Sequence, residues 1–148
     1  CIGDYFKVDK LLIQEAIKNY IPKNNRSQIV ETKRNKVLMD AYNANPTSMR
    51  ETINYFDDIN YEKKFLILGD MLELGDTSEK EHKEIISLIT KKEFKFILVG
   101  EIFSSINKEN SFKNVDLVPE KNLLELKKFF ILVKGSRSIT LEKILKYL

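Results

Sequence analysis

The residues able to do chemistry gather in three stretches, each directly after an apolar run. The first is Asp40-Ala41-Tyr42-Asn43-Ala44-Asn45-Pro46. A carboxylate at the end of such a run accepts hydrogen bonds, as from ribose hydroxyls, and the carboxamides of Asn43 and Asn45 both donate and accept. Asn followed by Pro also marks a helix start, and a helix N-terminus favours an anion. The same residues serve equally well as a capped turn, with Asn45 capping and Asp40 holding turn amides. The second stretch is Gly69-Asp70-Met71-Leu72-Glu73-Leu74-Gly75. Asp70 and Glu73 could orient a cationic or metal-bound ligand, although solvated acids in a short turn explain them more simply. His82, the single histidine, precedes Ile85 and Ile86 at helical spacing. That spacing makes it a half-buried packing residue before it makes it a catalyst. The third stretch is Lys134-Gly135-Ser136-Arg137. Two cations around a glycine and a hydroxyl suit a carboxylate or a phosphate. A basic surface turn is the plainer alternative. Arg occurs only at Arg26, Arg34, Arg50 and Arg137 in a lysine-rich chain. An Arg kept at this turn therefore favours use of its planar fork.

These stretches need strands and helices to hold them. Val37–Asp40, Phe65–Gly69, Phe96–Gly100 and Phe130–Val133 are short, almost wholly apolar runs. Strands buried on both faces of a parallel sheet read this way. Gln28–Thr32 and Val115–Val118 read as two shorter strands. Between the strands, helical patterns start at Asn45-Pro46 and run over 79–91, 101–108 and 120–129. The second of these is opened by a capping box, Ser78-x-x-Glu81. Ile139–Leu148 reads as a closing helix with Leu141, Ile144, Leu145 and Leu148 on one face. The alternation predicts an α/β fold: an open, mostly parallel, Rossmann-like sheet with helices on both faces. Ligands of such sheets bind at the carboxyl ends of the strands, where the three stretches lie. No Gly-x-Gly-x-x-Gly and no Gly-x-x-x-x-Gly-Lys-Ser/Thr occurs, so a self-sufficient nucleotide site is not expected.

Residues 5–20 form a further helical pattern, started at Val8-Asp9 and stopped at Pro22. Lys23-Asn24-Asn25 comes next as a polar hinge. The chain begins with Cys1 in a helical segment, so it reads as a piece of a longer protein, with residues 1–23 ending one domain and residues 24–148 forming the next.

Composition excludes several classes. With 148 residues, 43% hydrophobic and 32% charged, the chain is neither disordered nor too short for a core. A net charge of +3 is too small to argue for nucleic-acid binding. No apolar run approaches the ~20 residues that span a bilayer. One cysteine excludes an internal disulfide or a cysteine-based zinc site. With no signal peptide visible, a reducing, cytoplasmic compartment is expected.

Four blocks in order carry a resemblance: Asn25-Arg26-Ser27, Asp40 through Met49, Gly69 through Gly75 with His82 downstream, and Leu132 through Arg137. Together they resemble the C-terminal domain of the Mur ligases, and within that family the enzymes that join D-alanyl-D-alanine to UDP-MurNAc-tripeptide in peptidoglycan precursor synthesis. Residues 1–22 resemble the last helix of the family's central domain. The resemblance implies an ATP-dependent amide ligase. ATP phosphorylates the terminal carboxylate, the amine of D-alanyl-D-alanine attacks the acyl phosphate, and phosphate leaves. ATP and Mg2+ would be bound mainly by the missing central domain, leaving no catalytic nucleophile and no metal ligand here. By the same resemblance Arg26 meets the nucleotide phosphates or ribose when the domains close, Asp40 holds the ribose, and Tyr42, Asn43 and Asn45 line the nucleotide side. Lys134, Gly135, Ser136 and Arg137 hold the incoming D-alanyl-D-alanine. Asp70, Glu73 and His82 match family positions to which no chemistry is assigned. The isolated chain is expected to be an inactive monomer that needs the N-terminal and central domains of its own protein. The alternatives are a folylpolyglutamate synthase-type ligase domain and a non-catalytic α/β binding module.

Overall fold

A computed structural model describes every residue except Cys1, Ile21 and Lys23. The chain's first residue and part of the expected hinge therefore lie outside the described residues. Six strands form one mixed sheet: β1 (Gln28–Glu31), β2 (Lys36–Asp40), β3 (Lys64–Gly69), β4 (Lys95–Val99), β5 (Ser111–Phe112) and β6 (Phe130–Lys134). The spatial order is β1-β2-β6-β3-β4-β5. Only β1 pairs antiparallel, as the edge partner of β2. All other neighbours are parallel. The expected Rossmann-like, mostly parallel sheet is thus the observed one. The last strand, β6, inserts between β2 and β3, so the carboxyl ends of these three lie side by side.

Two apolar clusters cover the two faces. On one, α3 (Pro46–Asp58), α4 (Ser78–Lys91) and α5 (Glu101–Ile106) bury Met49, Ile53, Phe56, Ile85, Ile89 and Phe103 against Leu38, Leu66, Leu98 and Leu132. Each such side chain contributes about 1.5–3 kcal/mol by leaving water. Helix α3 starts where Asn-Pro requires. The Asn45 side chain accepts from Ser48 N at 2.8 Å, the Ser48 hydroxyl accepts from Asn45 N at 3.2 Å, and Pro46 opens the helix. On the other face the cover is α6 (Glu120–Leu124) and 3-10 turns over Val115–Leu117 and Leu141–Tyr147. They bury Val115, Leu123, Leu141, Ile144 and Leu148 against Val37, Ile67, Val99 and Val133.

Several local expectations are corrected. Val115–Val118 is not a strand. Asn114 caps a 3-10 turn there, accepting from Asp116 N and Leu117 N, and the strand is Ser111–Phe112 just before it. The closing helix is a pair of 3-10 turns, Arg137–Ile139 and Leu141–Tyr147, joined at Thr140 in the left-handed conformation with φ 54°. Helices expected over 101–108 and 120–129 stop at Ile106 and Leu124. The capping box at Ser78 does not form. Ser78 is already helical, because a 3-10 turn at Gly75–Thr77 precedes it, and Thr77 makes no side-chain cap.

The helix expected over 5–20 is two helices, α1 (Ile2–Tyr5) and α2 (Lys10–Asn19), broken where Lys7 takes φ 54°. Asp9 caps the second, its carboxylate accepting from Leu11 N at 2.8 Å. Neither helix buries a residue, and Ile2, Tyr5, Phe6, Leu11, Leu12 and Ile17 stand exposed. No helix among the described residues is long and apolar enough to cross a membrane.

Candidate functional site

Asp40 ends β2 and Lys134 ends β6, and the parallel register sets them side by side. The Lys134 ammonium donates to the Asp40 carboxylate and lies 3.5 Å from the Asn43 carbonyl. Lys134 is 2% exposed, so its charge is sustained by this pairing. The other Asp40 oxygen accepts from the Ser27 amide at 3.0 Å. Ser27 takes φ 48° and Asn25 φ 59°, and these left-handed residues bend the chain back over the end of β2. The bend brings Arg26 to Tyr42, with its guanidinium carbon 3.7 Å from the ring centroid. The Arg137 guanidinium carbon lies 5.2 Å from the same centroid. Hydrogen bonding and charge from Arg26, then from Arg137, hold the Tyr42 phenol below its ordinary value. The result is a cationic rim at the ends of β2 and β6: two guanidinium groups around one phenol, above the ion pair of buried Lys134 with half-buried Asp40. Such a rim suits phosphate or carboxylate oxygens.

The structure brings Arg26, Asp40, Tyr42, Lys134 and Arg137 together. Asn45 and Asn43 flank the rim differently. The Asn45 carboxamide oxygen caps α3, which is the capped-turn reading of the sequence, whereas Asn43 is exposed and offers its carbonyl toward Lys134. Gly135 and Ser136 position the rim from below. A Cβ on Gly135 would lie 2.8 Å from Gly69 Cα and 2.9 Å from Leu141 Cδ1, so only glycine permits this approach of β6 to β3. Ser136 is buried, its amide donating to Asp70 O at 3.1 Å and its hydroxyl accepting from Leu72 N at 3.0 Å.

The Gly69–Gly75 loop is built differently. The Asp70 carboxylate accepts from the amides of Ile102 at 2.8 Å and Phe103 at 2.9 Å, capping α5. Burial pushes its carboxyl above the ordinary value, against the lowering effect of those two amides. Gly100, at φ 138°, makes room for it: a Cβ there would fall 2.1 Å from Asp70 Cγ. His82 is fully buried, packed edge-on against Phe103 with centroids 4.6 Å apart. The expected half-buried packing role understates it, because both ring nitrogens are bonded. Glu73 joins none of this. It is exposed at φ 67° on the loop tip. Among the described residues no cluster of three or more His, Cys, Asp or Glu could hold a metal ion.

Sequence reasoning named Ser27 within a motif but missed that it holds Asp40, and it missed the packing of Gly69 on Gly135. The available signal was that each glycine closes or trails an apolar run, a common mark of close backbone approach.

The model of the Mur ligase glutamate ligase domain matches residues 25–137. The chain belongs to the Mur ligase family. It is 35% identical over 132 residues to the UDP-N-acetylmuramoyl-tripeptide–D-alanyl-D-alanine ligase of Rickettsia prowazekii, covering 82% of this chain and 29% of that one. It is also 35% identical over 123 residues to the ligase of the same name from Bacillus subtilis, covering 74% and 27%. The chain thus spans less than a third of these Mur ligases. Its fold matches a MurF ligase of Thermotoga maritima in complex with ADP, with TM-score 0.79 and 23% identity over 99% of this chain and 35% of that one.

Proposed function

We propose that the chain is the last domain of an ATP-dependent ligase that joins D-alanyl-D-alanine to UDP-MurNAc-tripeptide, with residues 24–148 forming that domain and residues 1–23 closing the one before it. The observation that carries the reading is the cationic rim of Arg26, Tyr42, Arg137 and the Lys134–Asp40 pair at the ends of β2 and β6. The names of the relatives supply the reaction.

A free carboxylate is a poor electrophile, so ATP first converts it to an acyl phosphate. The amine then attacks, and a tetrahedral intermediate expels phosphate. Charge on the phosphoryl oxygens and on the intermediate must be balanced in a site closed to water. Arg26 and Tyr42 face the nucleotide in this reading, and the Lys134–Arg137 turn receives the incoming dipeptide through exposed Arg137, which suits its carboxylate, while the buried Lys134, Gly135 and Ser136 hold the turn from beneath. Asp40 holds Lys134 and Ser27 and can share its outer lone pairs with ribose hydroxyls. Asn43 and Asn45 border the nucleotide side. In this reading Mg2+ and most of the ATP contacts are supplied by the central domain of the full-length protein. Swinging of this domain about Lys23-Asn24-Asn25 would bring the rim onto ATP held by the neighbouring domain.

The test is ligation by the full-length protein supplied with ATP and UDP-MurNAc-tripeptide. Product is expected with D-alanyl-D-alanine, none with glutamate on a folate acceptor, and none from the 148-residue chain alone. Turnover by the isolated chain, or a preference for glutamate, overturns the reading. Tight nucleotide binding by the isolated chain would point to a self-contained binding module instead.

A further inference from the structure

Three consecutive amides after β3 are each anchored to a different element. Asp70 N donates to Val99 O at 3.0 Å, at the end of β4. Met71 N donates to His82 Nε2 at 3.0 Å, on α4. Leu72 N donates to the Ser136 hydroxyl at 3.0 Å, in the turn after β6. Ser136 N returns a bond to Asp70 O at 3.1 Å, so the two loops clasp each other. The middle anchor is the only one supplied by an ionisable side chain. Its chemistry is set by its partners. Nδ1 lies 2.7 Å from Ser78 O, a carbonyl that can only accept. Nδ1 therefore carries the proton, and Nε2 offers its lone pair to Met71. The buried ring fits as the neutral Nδ1–H tautomer.

We propose that His82 is a positioning residue for the rim: it fixes the Met71 amide, and through Leu72 and Ser136 it holds Arg137 beside Tyr42. Its role for the dipeptide rests on the reading that the Lys134–Arg137 turn receives that substrate. The charged groups around the ring are few. Asp70 Oδ1 lies 3.6 Å from Nε2, and Glu101, at the start of α5, acts on Asp70. Phe103 on α5 presents only its ring.

Two variants separate anchoring from bulk. His82→Gln keeps an acceptor that can reach Met71 N and does not titrate. His82→Leu keeps the volume and removes the acceptor. In the full-length ligase, His82→Leu is expected to raise KM for D-alanyl-D-alanine about tenfold, the worth of one buried hydrogen bond, with kcat and the KM for ATP within about twofold. His82→Gln should restore KM to within about threefold. Imidazole nitrogen shifts of the unaltered protein should report the Nδ1–H tautomer. Amide exchange at Leu72 and Ser136 should quicken in His82→Leu and not in His82→Gln. An Nε2–H tautomer, or equal losses in both variants, overturns the proposal. Should Arg137→Ala leave the dipeptide KM unchanged while tautomer and exchange behave as expected, the assigned substrate of the turn is wrong and the positioning role stands.

Discussion

Two acids at the carboxyl ends of β2 and β3, the strands on either side of β6, do opposite work. Asp40, at the end of β2, sits at the rim with its side chain 16% exposed and shares its carboxylate between Lys134 and the Ser27 amide. Asp70, directly after β3, is 2% exposed and spends both oxygens on the amides that start α5. The sequence presents them alike, an acid after an apolar run. The difference lies in the next few residues of the chain. After Asp40 the chain leaves Tyr42 and Asn43 near solvent and meets two arginines. After Asp70 it is pinned amide by amide. One strand end presents chemistry and the other holds it in place.

That contrast can be broken by substitution. The largest effect is expected at Gly100→Ala, which adds a Cβ on top of Asp70 at a backbone conformation that suits glycine. It should cost more than about 3 kcal/mol in urea unfolding while touching no rim residue. Asp40→Ala comes next, because it leaves the buried Lys134 charge unpaired, at about 3 kcal/mol. If it proves neutral, the rim pair is not buried in the way described.

Asp70→Asn sharpens the comparison through pH. Burial raises the folded-state value of the Asp70 carboxyl above its ordinary 3.8, so the native state favours the protonated form. The stability tied to that proton is present below the unfolded value and is lost as pH rises through the folded value. The stability advantage of the unaltered protein over Asp70→Asn should therefore shrink as pH rises through that window. A gap that widens contradicts the burial argument. The smallest stability effect belongs to Arg137→Ala, within about 0.5 kcal/mol as a surface change. The same substitution should raise the KM for D-alanyl-D-alanine about 10- to 100-fold, as expected for a lost charge-assisted bond.

The central strands were legible because β2, β3, β4 and β6 are buried on both faces, which leaves continuous apolar runs with little ambiguity. Strand β5 was not, since Ser111 and Phe112 are only half-buried and pair over two residues. Val115–Val118 looked like a strand by composition alone, but Asn114 turns it and Pro119 ends it. The closing segment misled for a different reason. Buried positions three apart, such as Leu141 and Ile144, fit a 3-10 repeat as well as an α-helix, and the left-handed Thr140 leaves no mark in periodicity. The rim residues were visible as types and spacing. The Ser27 bend, the capping of α5 by Asp70 and the pairing of His82 with Met71 were not, because each joins segments that are separate in sequence.

Gly69 and Gly135 touch backbone to backbone, with no side chain between them to yield. The two loops they introduce therefore share one mechanical fate. A side chain added at either glycine would wedge the two strand ends apart and part the loops from each other.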